Sequence, residues 1–230
     1  MFPLKDDNPT HRTPILTIAL IVINVLAYLY EFIQPDQGQT VVMQFGFIPI
    51  ELTQGVELTP QTYFPSIGTM FTSMFLHGGW MHLIGNMLFL WVFGNNVEDL
   101  LGHIWFILFY LLAGVGAVAL FVLTAPNSQI PMVGASGAIS GVLGLYAVKW
   151  PKARVMTAVT LGFFVRMIWI PAMVVLGIWF VMQLLFAFLS QGSEASGGVA
   201  YMAHIGGFLV GVIAAFFAKK PETAWQSRRF

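Results

Sequence analysis

The hydrophobic pattern of the chain divides it into six long apolar stretches separated by polar segments. These stretches cover residues 14–32, 80–97, 104–124, 136–150, 167–189 and 199–218. A helix that crosses a bilayer needs about 20 predominantly apolar residues, give or take a few. Five of the stretches have that length, and the pattern therefore predicts membrane-spanning helices.

The fourth stretch is shorter than the others, because Pro151 ends it. From Ser136 to Trp150 it would be about 22 Å long at 1.5 Å per residue, whereas the hydrocarbon core is about 30 Å thick. One end of this helix must then lie below the membrane surface. Non-helical backbone at that depth is tolerated only when it is buried in protein or lines a wet cavity. The sequence therefore predicts a water-filled hollow within the membrane.

Composition supports an integral membrane protein of a single domain. The chain has 230 residues, of which 57% are hydrophobic and 9% charged. It contains no cysteine, which excludes disulfides, thiolate metal sites and cysteine nucleophiles. The middles of the predicted spans carry no Asp, Glu, Lys or Arg, which argues against ion-coupled transport and proton relays. No His-Glu-x-x-His motif occurs, so a zinc metalloprotease is not indicated, and no cofactor or metal is expected.

The positions of the cations predict the orientation in the membrane. All ten Lys and Arg fall in the N-terminal tail, the loop between the fourth and fifth spans, or the C-terminal tail. The positive-inside rule then places both termini in the cytoplasm. We expect a cytoplasmic tail at 1–13, a membrane domain at 14–218 and a second cytoplasmic tail at 219–230, in a multi-pass protein of a prokaryotic plasma membrane.

Three segments between the spans carry weaker expectations. Residues 33–79 form a long first loop with apolar runs, which we expect to lie in the outer membrane interface. Residues 155–165 are apolar but lie between Arg154 and Arg166, and the pattern is compatible with an interfacial helix or with an extension of the fifth span. Residues 191–198 are rich in Gly and Ser, as expected of a flexible cover beside the sixth span.

Ser136 is the first candidate for chemistry, because it lies between small residues in the segment Gly134–Gly141. Its hydroxyl is either a helix-packing group or an unshielded nucleophile. In the sixth span, His204 lies on nearly the same helix face as Gly207 and Gly211. Two glycine-lined faces can pack closely, which would bring the serine against the histidine. No carboxylate lies nearby, so the pair would act as a Ser-His dyad.

His82 and Asn86 are four residues apart and therefore share one face of the second span. With the orientation given above, they enter from the same side of the membrane as Ser136 and His204. Both side chains can donate a hydrogen bond to an oxyanion, as can the backbone N–H of Ser136 at a helix start. Taken alone, the pair is equally compatible with simple interhelical hydrogen bonding.

Three motifs in this order resemble the signature motifs of the rhomboid intramembrane serine proteases: FLHGGWMHLIGN at 75–86, GASG at 134–137 and AHIGG at 203–207. The resemblance extends over nearly the whole six-span region and implies a six-helix rhomboid-like bundle. It implies that Ser136 is the nucleophile and His204 the general base, with Asn86 and His82 stabilising the oxyanion.

Further positions match or depart from the family pattern. Gly94, Glu98 and Gly102 match a GxxxExxxG pattern that we interpret as structural, and His77 matches a further family histidine near the helix entrance. The Trp-Arg pair of the first loop in many members is absent. Ser140 occupies a position where some members carry an aromatic residue that stacks on the histidine.

The resemblance implies an endopeptidase whose partners are transmembrane protein substrates within the lipid bilayer, cleaved near their outer ends. Helix-weakening residues near the cut should help, because a helical peptide bond is shielded. One alternative is a catalytically inactive rhomboid-like protein that binds membrane clients. Another is a small-solute channel or transporter, for which solute flux would survive the loss of Ser136.

Overall fold

The structure, a computed structural model, describes residues 2–58, 64–161, 164–189 and 201–219. The nine α-helices of these residues are α1 Ile15–Phe32, α2 Gln39–Phe45, α3 Pro49–Gln54, α4 Ser66–Thr72, α5 Trp80–Leu101, α6 His103–Thr124, α7 Ser136–Lys149, α8 Ala172–Leu189 and α9 Tyr201–Phe217. The three strands are β1 Phe2–Asp6, β2 Arg154–Leu161 and β3 Phe164–Pro171. A 3₁₀ turn at Ser73–Phe75 follows α4. The predicted cover at 191–198 lies outside the described residues.

The described part of the chain is mostly helical, as predicted for a membrane protein. Within it, α1, α6 and α8 are long and apolar enough to cross a bilayer, and α9 is a shorter apolar helix. Many of their apolar side chains face outward, as those of lipid-exposed helices do.

The predicted start of the fifth span, at residue 167, is wrong. Helix α8 begins at Ala172, and residues 164–171 form strand β3. Pro171 accounts for the boundary, because the residue before a proline is disfavoured in the helical region. Residues 155–161 and 164–165 are thus neither an interfacial helix nor part of α8.

A three-stranded antiparallel sheet, which the sequence analysis did not predict, connects α7 to α8. Strand β2 pairs with β3 from Arg154 opposite Pro171 to Leu161 opposite Phe164. Strand β1 lies on the other side of β2, with Asp6 opposite Val155. Residues 2–6 of the predicted N-terminal tail are therefore held in a sheet.

Helix α7 lies at the centre of the fold. Every residue from Ala138 to Ala147 is buried, and α5, α6, α8 and α9 all contact the helix. Its C-terminal half packs through large side chains, with Tyr146 fully buried against Phe93 at 4.9 Å between ring centroids.

The contact between α7 and α9 is made of backbone rather than side chains. A Cβ atom at Gly207 would collide with the carbonyl oxygen of Gly137, and one at Gly211 with the carbonyl oxygen of Gly141. Only glycine allows this approach, which is the close packing that the sequence predicted for these two helices.

The long first loop contains the short helices α2, α3 and α4. It is fastened by a two-residue bridge in which Phe47 and Met132 exchange backbone hydrogen bonds of 3.0 and 2.8 Å. Phe47 and Ile48 are fully buried. This bridge attaches the loop in a chain that lacks the Trp-Arg pair.

Candidate active site

Ser136 is the first residue of α7, and the chain reaches it through a turn that requires glycine. Gly134 has a φ of 123°, a conformation that residues with a Cβ rarely adopt. A Cβ at this position would also lie 2.7 Å from the ring of His82. The N–H of Gly134 donates to the carbonyl oxygen of Ser73 at 2.8 Å, which fixes the turn. The glycine therefore lets the His82 ring approach the start of α7.

The structure brings Ser136 and His204 together. The Oγ of Ser136 and the Nε2 of His204 are 2.8 Å apart, a hydrogen-bonding distance. The two side chains come from positions 68 residues apart in the chain. The glycine contact between α7 and α9 makes this approach possible, because bulky residues there would hold the two helices apart.

Asn86 and His82 lie on α5, as predicted. Asn86 is 8% exposed, and its Nδ2 lies 3.0 Å from the Nε2 of His77. Since the amide nitrogen can only donate, His77 accepts there and orients the Asn86 side chain. The ring of His82 lies next to that of His77, with centroids 5.1 Å apart.

One cavity of about 640 Å³ is lined by all four predicted site residues, His82, Asn86, Ser136 and His204. Ser73 and Ser140 add hydroxyls to its wall, while most of the remaining lining is apolar or glycine. A mainly apolar hollow with a few convergent polar groups is typical of a ligand site. Ser136 and His204 therefore lie at the wall of a hollow large enough for a ligand.

Glu31 is a buried residue that the sequence analysis missed. It lies near the end of α1, is 2% exposed, and both of its carboxylate oxygens lie 3.2 Å from the backbone N–H of His77. It thus fixes the segment that carries His77, which in turn orients Asn86. An acidic residue at the end of an apolar span was the available signal.

Trp179 and Gln183 of α8 also contact His204, and the sequence analysis missed both. The ring centroids of Trp179 and His204 are 6.0 Å apart. The Oε1 of Gln183 lies 2.8 Å from the Nδ1 of His204. Ser140 instead donates to the carbonyl oxygen of Ser136 at 2.6 Å. Helix α8 therefore supplies the hydrogen bond to the imidazole nitrogen that faces away from Ser136, and a lone glutamine four residues after a tryptophan was the available signal.

Glu98 does not line the cavity and lies in the last turn of α5. Its carboxylate accepts from the N–H of Leu16 at 2.9 Å, from the N–H and Oγ1 of Thr17 at 2.7 Å each, and contacts His103 Nδ1 at 2.6 Å. These contacts connect the start of α1 to the end of α5, in keeping with the structural interpretation of the GxxxExxxG pattern.

The fold and the cavity define a membrane protein in which a serine and a histidine from two glycine-packed helices share a hydrogen bond beside a mainly apolar hollow. The family model described as the rhomboid domain matches residues 66–221, a range that contains all three motifs. The chain belongs to the rhomboid family.

Several relatives illustrate the range of the family. Rhomboid-like protein 11, chloroplastic, of Arabidopsis thaliana is 32% identical over 70% of this chain and 56% of its own length. Rhomboid protein 1, mitochondrial, of Saccharomyces cerevisiae is 30% identical over 75% of this chain and 48% of its own. Rhomboid protease GluP of Bacillus subtilis is 36% identical over 70% of this chain and 28% of its own.

The chain thus spans between 28 and 56% of the length of these relatives. They come from a chloroplast, a mitochondrion and a bacterium, so they do not support a prokaryotic plasma membrane over an organelle membrane. The prokaryotic location stays a prediction.

Proposed function

We propose that this protein is an intramembrane serine endopeptidase that cleaves transmembrane segments of other membrane proteins near their outer ends. The observation that carries the proposal is the 2.8 Å contact between Ser136 Oγ and His204 Nε2 at the wall of a cavity. Membership of a family that includes a relative named as a protease supports it.

In the first step, Ser136 Oγ attacks the carbonyl carbon of the scissile peptide while its proton passes to His204 Nε2. A C–O bond forms, and the carbonyl π electrons move to the oxygen, giving a tetrahedral oxyanion. When this collapses, the C–N bond breaks and the leaving amine takes the proton from His204. A water molecule then attacks the acyl-serine in the same way, releasing the acid and restoring the serine.

The oxyanion is stabilised by His82, Asn86 and the backbone N–H of Ser136. That N–H stands at a helix start, where it has no partner within its own helix. Asn86 uses one amide hydrogen to donate to His77, at 3.0 Å, and keeps the other for the substrate. Donors held in place before reaction stabilise the developing charge without reorganisation.

In the membrane, six helices cross or enter the bilayer: α1, α5, α6, α7, α8 and α9. Both chain ends lie in the cytoplasm, as the distribution of cations indicates. Helix α7 has 14 residues, or about 21 Å, and its start at Ser136 lies below the outer surface. The substrate therefore meets the serine within the outer leaflet, after unwinding locally.

The test uses the full chain, purified in detergent and in lipid nanodiscs, with a model transmembrane substrate. Ser136→Ala and His204→Ala should each abolish cleavage, because nucleophile and base act as a unit. The matched controls, Ser128→Ala and His11→Ala, should retain it. A fluorophosphonate should label Ser136 in the wild type.

Cleavage that persists in either site variant would refute the proposal. An unlabelled wild type that binds the substrate without cutting it would favour the client-binding alternative.

A further inference from the structure

His204 has a hydrogen-bond partner on each of its two ring nitrogens. Nε2 lies 2.8 Å from Ser136 Oγ, and Nδ1 lies 2.8 Å from Gln183 Oε1. Gln183 belongs to α8 and is 9% exposed. The three side chains thus form a continuous chain of hydrogen bonds from α8 through α9 to α7.

The tautomer of the imidazole decides whether it can act as a base. For Nε2 to accept the serine proton it must carry none, and Nδ1 must then carry the ring hydrogen. An amide oxygen can only accept, so Gln183 Oε1 selects the tautomer with hydrogen on Nδ1. The same contact stabilises the imidazolium that forms when the serine proton arrives.

Gln183 lies on a helix that is otherwise apolar. The helix sequence AMVVLGIWFVMQLLFAFL has this one amide among apolar side chains. Burying a polar group without a partner is costly, so the contact with His204 also satisfies the amide oxygen of Gln183. Trp179 lies one turn earlier on the same face, with its ring 6.0 Å from the imidazole. Two residues of α8 therefore restrain the imidazole: Gln183 through a hydrogen bond to Nδ1, and Trp179 through a contact between the two rings.

We propose that Gln183 is the positioning residue of this active site, an amide that fixes the orientation and tautomer of His204 where serine hydrolases of other folds use a carboxylate. This inference rests on the proposed protease function. Serine, histidine and glutamine then form one hydrogen-bonded series, in which the proton moves only between the serine and the histidine and the glutamine does not touch the substrate.

Steady-state kinetics give the first test. Gln183→Leu, which removes the acceptor at similar size, should lower kcat about 10- to 100-fold, with KM changed less than about threefold, because the imidazole is held less often in the tautomer and orientation of a base while the substrate-binding surface is unchanged. Gln183→Glu keeps a side-chain oxygen at the same reach and should recover most of the lost turnover. Leu184→Ala, an exposed neighbour on α8, is the matched control and should turn over like the wild type.

The second test is independent of catalysis. With ¹⁵N-labelled histidine in the Ser136→Ala protein, the imidazole shifts of His204 should report hydrogen on Nδ1. Adding Gln183→Leu should produce a mixture of both tautomers, and Gln183→Glu should not.

The outcomes separate the two proposals. If the wild type cleaves and Gln183→Leu cleaves equally fast, the role of Gln183 alone is overturned. The same holds if the tautomer of His204 is unchanged in Gln183→Leu. A wild type that does not cleave overturns the protease function, while the nitrogen shifts still decide whether Gln183 selects the tautomer. A Gln183→Leu variant that unfolds moves the decision to Gln183→Asn, whose shorter side chain should lower kcat while leaving the fold intact; unchanged turnover there overturns the proposal.

Discussion

Helices α9 and α8 both contact α7; α9 carries His204 and α8 contacts its imidazole, but the two helices are held in opposite ways. Helix α9 meets α7 backbone to backbone at Gly207 and Gly211, where no side chain fits. Helix α8 buries Ala172, Val175, Leu176, Gln183 and Ala187, and leaves most of its other apolar side chains outward. A Cβ added at Gly177 of α8 would meet nothing within 4 Å.

The two kinds of helix contact control different features of the site. The distance between Ser136 and His204 is set by a contact between backbones, which cannot be varied by rotating a side chain. The orientation of the imidazole is set by Gln183 and Trp179, on a helix with few buried residues.

The largest effect is expected at the glycine contact. Gly211→Ala should lower the free energy of unfolding by about 3 kcal/mol or more, because the added methyl forces two backbones apart. Gly177→Ala on α8 is the matched control and should change it by less than about 0.5 kcal/mol. Unfolding by SDS in mixed micelles, followed by circular dichroism, measures both. Equal stabilities of the two variants would contradict the comparison.

Asn86 lies on the firmly held wall of the cavity, where His77 orients it. Asn86→Ala should lower kcat about 10²- to 10³-fold if Asn86 is a principal oxyanion donor. Asn127→Ala, an exposed loop asparagine, serves as the control. An unchanged kcat would assign Asn86 to helix packing only.

Trp179 lies on the wall formed by α8, so its loss should cost less. Ring contacts of this kind contribute about 0.5–1.5 kcal/mol, and Trp179→Leu should thus lower kcat/KM by about 2- to 10-fold. Trp105→Leu, on the exposed face of α6, should leave kcat/KM unchanged. If Trp179→Leu lowered turnover as much as Asn86→Ala, the contrast between the α8 wall and the α5 wall of the cavity would be wrong.

A pH-dependent effect is expected at the end of α7 that lies away from Ser136. The Asp6 carboxylate accepts from Asn96 Nδ2 at 2.9 Å and from the Tyr146 hydroxyl. Burial raises the pKa of Asp6 from 3.8 to about 6. Because the folded pKa is the higher one, the folded state holds the proton more tightly, and stability from this group falls as pH rises from about 4 to about 6.

Asp6→Asn keeps an oxygen acceptor and has no such titration. Its unfolding free energy should match the wild type near pH 4 and exceed it at pH 7. Glu57→Gln, at an exposed carboxylate, is the control. A difference that is the same at both pH values would exclude titration of Asp6 as the cause.

The sequence pattern predicted most helix positions to within a few residues, because each is encoded locally by a run of apolar residues. It missed the strand at 164–171 since a continuous apolar run does not distinguish a strand from a helix. The closeness of Ser136 and His204 was also predictable, because glycines at four-residue spacing mark helix faces that can approach closely.

The membrane class, the family motifs and the residues that meet across α7 and α9 could all be predicted from local patterns in the chain. Only the tertiary structure decided that Gln183 reaches the far nitrogen of His204, that Glu31 holds the backbone of His77, and that residues 2–6 join the sheet. Each of these depends on where distant segments come together, and a single polar residue in an apolar run carries no local sign of its partner.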